Sequence, residues 1–208
     1  MPSQPFLSLP SLQGFLKKQG IENVSIRDLN IEIMDVLLSA DKVKQTQTII
    51  EDRLSNGTKT ISSEENPEET FSRFNWAREV IENENMAHNV EWAKATLKSQ
   101  AFYGIDDYIE CWKIIDRWLQ AYGMLYYPSE ISIADNSMRY SVYSSEDVIK
   151  AVDDKGENPY HALFEEHVID SMIKEDPKLV GISVTATSQV MPAFTLARQL
   201  KEKNSDIH

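Results

Sequence analysis

The stretch Pro177–His208, PKLVGISVTATSQVMPAFTLARQLKEKNSDIH, constrains the fold more than any other, because it spells out a strand, a loop and a helix in succession. Leu179, Val180, Gly181, Ile182, Ser183 and Val184 form a short apolar run rich in β-branched residues, the pattern of a strand buried on both faces. A polar loop, Thr185-Ala186-Thr187-Ser188-Gln189, joins it to a helix carrying Val190, Phe194, Leu196, Ala197 and Leu200 at helical spacing. In an open parallel sheet ligands sit beyond the carboxyl ends of the strands, so this loop is the first place to look for a site. A further strand is expected where the chain stops.

Composition narrows the function classes. A chain of 208 residues, 41% hydrophobic, can bury one large core, alone or with an insertion. Its formal charge of -12 repels phosphate backbones and anionic bilayers, which argues against nucleic acid and membrane partners. The lone Cys111 cannot form an internal disulfide. No apolar run approaches the roughly 20 residues of a membrane span, and the N-terminus MPSQPFLSLP lacks the basic start and apolar stretch of a signal peptide. A cytoplasmic protein is expected.

Along the chain, Leu9, Leu12, Phe15 and Leu16 predict a short helix ending at Gly20, and Asn23–Asn30 alternates like a second strand. From Ile31 to Gly123 the pattern is almost wholly helical, interrupted at Asn56-Gly57 and by the acidic stretch Ser62–Thr70, and is read as a helical insertion over residues 31–123. All four tryptophans fall between Trp76 and Trp118, which predicts that these helices pack together or onto the sheet. Residues 130–143 read as a hairpin around Ala134-Asp135-Asn136-Ser137. Ser144-Ser145-Glu146-Asp147 then opens a helix with a capping residue and acids in its first turn. Tyr160–Lys174 follows as the most strongly amphipathic helix, before Asp176-Pro177 ends it.

Together these elements predict a single α/β domain over residues 1–208. It would be a flavodoxin-like, cobalamin-binding-type parallel sheet with helices on both faces and a large helical insertion. The run HALFEEHVIDSMIKEDPKLVGISVTATSQVMPAFTLARQLKEKNSDIH resembles the N-terminal cobalamin-binding-like domain of radical S-adenosylmethionine enzymes, in which a "p-lVGiSv" strand leads to a Ser/Thr-rich loop and an "a-tlAr-lK" helix. PFLSLPSLQGFLKKQGIENVSIRDLN resembles the opening of the same domain, and the long helical insertion resembles the subgroup associated with maturation of ribosomally made peptides. The resemblance covers roughly residues 5–40 and 125–208.

The resemblance implies an N-terminal accessory module that binds cobalamin or helps to hold a peptide substrate. Its partner would be a downstream radical domain of the same chain, carrying the iron-sulfur cluster and S-adenosylmethionine. This stretch alone is not expected to be catalytic: the cluster needs three thiolates in a CxxxCxxC loop, and Cys111 stands alone. Nor is there an Asp-x-His-x-x-Gly sequence to give cobalt an imidazole. Ser183, Thr185, Thr187, Ser188 and Gln189 are the cofactor-binding candidates, placed to hydrogen-bond a corrin amide or nucleotide tail. The same hydroxyls also suit the cap of the following helix, Thr187 or Ser188 above all. His161 and His167 read as surface or capping residues, Cys111 as a small buried hydrophobe, and Asp28 and Asn30 as turn residues that also close their strand at the edge where ligands bind. The alternative from another class is a cofactor-free α/β binding module that recognises a peptide or protein partner.

Overall fold

The computed structural model describes residues 7–55, 67–133 and 136–208. It is mostly helical. In chain order the elements are α1 (Ser8–Lys18), α2 (Leu29–Leu37), α3 (Ala40–Ser55), α4 (Pro67–Asn83), α5 (Met86–Leu97), α6 (Ile105–Gly123), β1 (Glu130–Ile131), β2 (Asn136–Ser137), α7 (Ser145–Asp153), α8 (Tyr160–Phe164), α9 (Asp170–Lys174) and α10 (Val190–Lys203). A wider π turn, Glu165–Ile169, links α8 to α9, so Tyr160–Lys174 runs as one helix, as its periodicity predicts.

Local chemistry explains three of the helix starts, those of α2, α4 and α7. Asp28 caps α2, its carboxylate accepting from the amides of Asn30 at 3.1 Å and Ile31 at 3.3 Å. Ser144 caps α7 by accepting from Asp147 N at 3.3 Å, with Glu146 and Asp147 in the first turn as expected. Pro67 opens α4 with Glu68 and Glu69 behind it, so the acidic stretch becomes helix from residue 67 onward. Residues 56–66, which include the Asn56-Gly57 break, and the turn residues 134–135 lie outside the described set.

Helices α3 to α6 pack on one another as a bundle, and α10 lies across α7 and α8. The bundle core is set by α6, where Cys111, Ile115, Trp118, Leu119 and Tyr122 share one buried stripe. Only one of the four tryptophans is fully buried: Trp118 has no exposed surface, and its indole N–H donates to Leu37 O at 2.9 Å. Trp76 is half-buried, while Trp92 and Trp112 are exposed, contrary to the packing expected of all four. The Cys111 thiol is buried with its Sγ 3.7 Å from Ala93 O, and burial pushes its pKa up, which suits a packed hydrophobe rather than a nucleophile.

The flavodoxin-like parallel sheet expected from the sequence is not formed. Among the described residues the only ladder is antiparallel and two residues long, pairing Glu130 with Ser137 and Ile131 with Asn136. The hairpin is therefore present but short, its second arm at Asn136–Ser137 instead of Met138–Val142. Asn23–Asn30 is no strand: residues 21–28 are irregular, and Leu29 and Asn30 already belong to α2. Leu179–Val184 has no regular secondary structure and, among the described residues, lies in no ladder. The physical reason is that β-branched periodicity favours an extended backbone, whereas a strand exists only when a neighbour supplies its hydrogen bonds. In this structure helices take up the apolar surface that the sheet was expected to cover, and without that sheet residues 31–123 are not an insertion into one.

Candidate functional site

The loop after Val184 borders a cavity. The cavity has a volume of about 480 Å³ and lies between α2, the C-terminal half of α6, the β1 hairpin, α8 and the segment Ile182–Leu196. Every side chain lining it is uncharged. Its apolar wall comes from Ile33, Met34, Leu119, Leu163 and Phe164, and its polar groups from Asn30, Ser132, Asn136, Tyr160 and the loop itself. Asn136 Nδ2 donates to the Tyr160 hydroxyl at 2.6 Å, and the Tyr160 and Phe164 rings lie 5.7 Å apart, so this wall is ordered by its own contacts.

Four of the five candidates meet here. Ser183, Thr185, Ser188 and Gln189 line the cavity, whereas Thr187 is exposed and does not. Gln189 organises the loop: its Oε1 accepts from Thr185 N at 2.7 Å, Thr185 Oγ1 at 3.1 Å and Ala186 N at 3.3 Å. The cap foreseen for Thr187 or Ser188 is thus not made by either residue, and no side chain caps α10. The amide of Gln189 satisfies the loop's own donors instead. Asn30, read first as a turn residue at a ligand-binding edge, does line the cavity, whereas Ser132, Asn136 and Tyr160 were not legible as site residues, because periodicity shows which face of an element is apolar but not which element it will meet.

Next to the cavity, Leu179–Ala186 leaves an unusual surface. Leu179, Ile182 and Val184 are exposed by 74%, 37% and 45%, and the stretch carries no charge. Among the described residues Gly181–Val184 make no backbone hydrogen bond, although Val180 N donates to His208 O at 2.7 Å and His208 N to Lys178 O at 3.0 Å. That pair of bonds has the form of a single rung between parallel strands.

Tyr122 also lines the cavity, and its hydroxyl lies 3.3 Å from that of Tyr126. Burial drives the Tyr122 phenol well above its ordinary value of 10.0, and Tyr126 is raised for the same first reason. A raised folded pKa means that stability is intact below the unfolded value and is lost as pH rises toward the folded one. The protein is therefore expected to lose stability progressively above about pH 10, the unfolded tyrosine value, and Tyr122→Phe should flatten that limb in urea melts. An alkaline limb of unchanged slope in the variant would remove Tyr122 as the cause.

His161, expected at the surface, is buried between α7 and α10. Its Nε2 faces Val152 O, which requires a proton on that nitrogen, and Gln199 Nε2 donates to its Nδ1 at 3.2 Å and to its carbonyl at 3.0 Å. Both ring nitrogens are therefore engaged in structure. His167 lies half-exposed beside Glu166 at 3.4 Å. Among the described residues no three His, Cys, Asp or Glu side chains converge on a metal site, and no helix is long and apolar enough to cross a membrane.

Comparison of the chain with protein-family models, with curated proteins and with solved structures gave no match.

Proposed function

We propose that the chain is a peptide-gripping module, in which an extended, uncharged segment lies along Leu179–Ala186 and drops an apolar side chain into the adjoining cavity. The observation that carries this reading is an exposed apolar stretch whose backbone groups at Gly181–Val184 have no backbone partner among the described residues, beside a neutral pocket. Strand addition of this kind draws affinity from main-chain hydrogen bonds and selectivity from pockets for alternate side chains. A cavity of about 480 Å³ falls within the range that holds small ligands and single side-chain groups. Its walls lack any counter-charge, so an ionised group inside would lose its hydration uncompensated.

The resemblance of both ends of the chain to the first domain of peptide-maturing radical enzymes supplies a context: a module that holds substrate for a downstream iron-sulfur domain. Substrate holding has more support here than cobalamin binding. A corrinoid with its nucleotide tail is far larger than the cavity, and no histidine lines it to reach a cobalt ion. The lone buried Cys111 cannot hold an iron-sulfur cluster, so that chemistry would belong to the other domain.

Hydrogen exchange with a capped hexapeptide of alternating threonine and valine tests the proposal. In the free protein the amides of Gly181–Val184 should exchange rapidly. Peptide should slow them, and Ile182→Asp, which sets a charge at the neutral mouth, should abolish the effect. Unchanged exchange in excess peptide overturns the reading, and retention of added hydroxocobalamin by the same protein would return the cavity to the corrinoid.

A further inference from the structure

We propose that the outer face of α6, with the aromatic corner that precedes it, docks a basic amphipathic helix of a partner protein. On α6 Ile105, Tyr108, Ile109 and Trp112 recur at i, i+3, i+4 and i+7 and so form one stripe. It is not the stripe that packs the bundle, which runs through Cys111, Ile115, Trp118 and Tyr122. The outer residues are exposed by 67%, 40%, 43% and 39% in that order. At its N-terminal end Phe102 stands edge-on to both Tyr103 and Tyr108, with ring centroids 5.4 and 5.8 Å apart, which joins the 3₁₀ turn Gln100–Tyr103 to the helix as one aromatic corner. A contiguous apolar patch rich in tyrosine, tryptophan and phenylalanine has the composition of a binding surface.

Charge selects the occupant. Asp106, Asp107 and Glu110 are exposed in the same two turns of α6. Among the described residues Asp106 and Asp107 have no ion-pair partner, while Glu110 is met by Lys113 at 3.7 Å. A second copy of this face would set these carboxylates against their own kind on a chain of net charge -12, and an anionic bilayer would be repelled in the same way. A helix with apolar residues at matching spacing and Lys or Arg on the flank toward Asp106 satisfies both the stripe and the acid nearest it. This surface shares no residue with the cavity or with Leu179–Ala186.

The test is calorimetric titration, at low salt, with a synthetic helix of leucine and lysine whose leucines recur at i, i+3, i+4 and i+7. The expected result is one peptide per chain, with binding weakened by rising ionic strength. Tyr108→Ala with Trp112→Ala should raise Kd by about tenfold or more, the scale of lost aromatic anchors. Tyr108→Lys, at an exposed position that leaves the buried stripe untouched, should do the same by repulsion, with folding checked by circular dichroism. Ile182→Asp should bind the helix as the parent does. Equal affinity for a scrambled peptide of the same composition, or unchanged binding by both α6 variants, overturns the proposal. So does a parent dimer that the α6 variants abolish, since it would assign the face to a second copy.

Discussion

Trp118→Ala is expected to lower the free energy of unfolding by about 3–5 kcal/mol, the range for truncating a large aromatic residue in a core. Three losses combine. The side chain has no exposed surface, so its removal leaves a cavity enclosed by the α6 stripe and its neighbours. The indole N–H bond to Leu37 O, 2.9 Å long, ties α6 to the end of α2, and its loss strands a buried carbonyl. The ring also rests against Tyr122, with centroids 5.9 Å apart. Domains of this size are stable by about 5–15 kcal/mol, so the variant should remain measurable in urea, though with a much lower midpoint. Trp118→Phe retains most of the packing but not the N–H and should fall between the two. A loss below about 1 kcal/mol for the alanine variant would show that the bundle closes over the gap, contrary to the packing described.

Asn158→Ala is the second large effect, expected at about 2–3 kcal/mol because it leaves several buried polar groups without partners. Asn158 is fully buried. Its Nδ2 donates to Ala151 O at 2.9 Å and to Thr195 Oγ1 at 2.8 Å, while its Oδ1 accepts from Tyr160 N at 3.0 Å. One side chain thereby links α7, the start of α8 and α10. Thr195 passes the link on, donating to Met191 O at 2.8 Å. A double-mutant cycle with Thr195→Val should show coupling, the pair costing less than the sum of the single changes, because either one already breaks the same bond. Strict additivity would dismiss the network as a unit. Since α8 and α10 also form one side of the cavity, the Asn158 variant should weaken any ligand held there without touching a lining residue.

Helix chemistry was largely legible before any coordinates. The cap at Ser144, the acids behind it and the amphipathic run Tyr160–Lys174 depend on neighbours within a few residues, so local sequence suffices to specify them. The loop Thr185–Gln189 was legible as a polar junction for the same reason. Most of the residues that join it around the cavity were not: Asn136 and Tyr160 lie 49 and 25 residues away from Thr185 along the chain (185 − 136, 185 − 160). The role of His161 was equally hidden, since its partner Gln199 is separated from it by 38 residues and is set by how α10 crosses α8.

What the sequence determined by itself, then, is where most of the helices lie and where their apolar residues recur. The run Leu179–Val184 shows the limit of that information. Its β-branched residues favour an extended backbone, but a sheet is a relation between segments, and only tertiary structure decides whether a second strand lies alongside. Here one rung at His208 forms, and among the described residues Gly181–Val184 have no backbone partner beside a neutral cavity. The same holds for the two stripes of α6, which are equally apolar by periodicity: one is buried only because α4 and α5 lie against it, and the other is exposed because no described helix covers it.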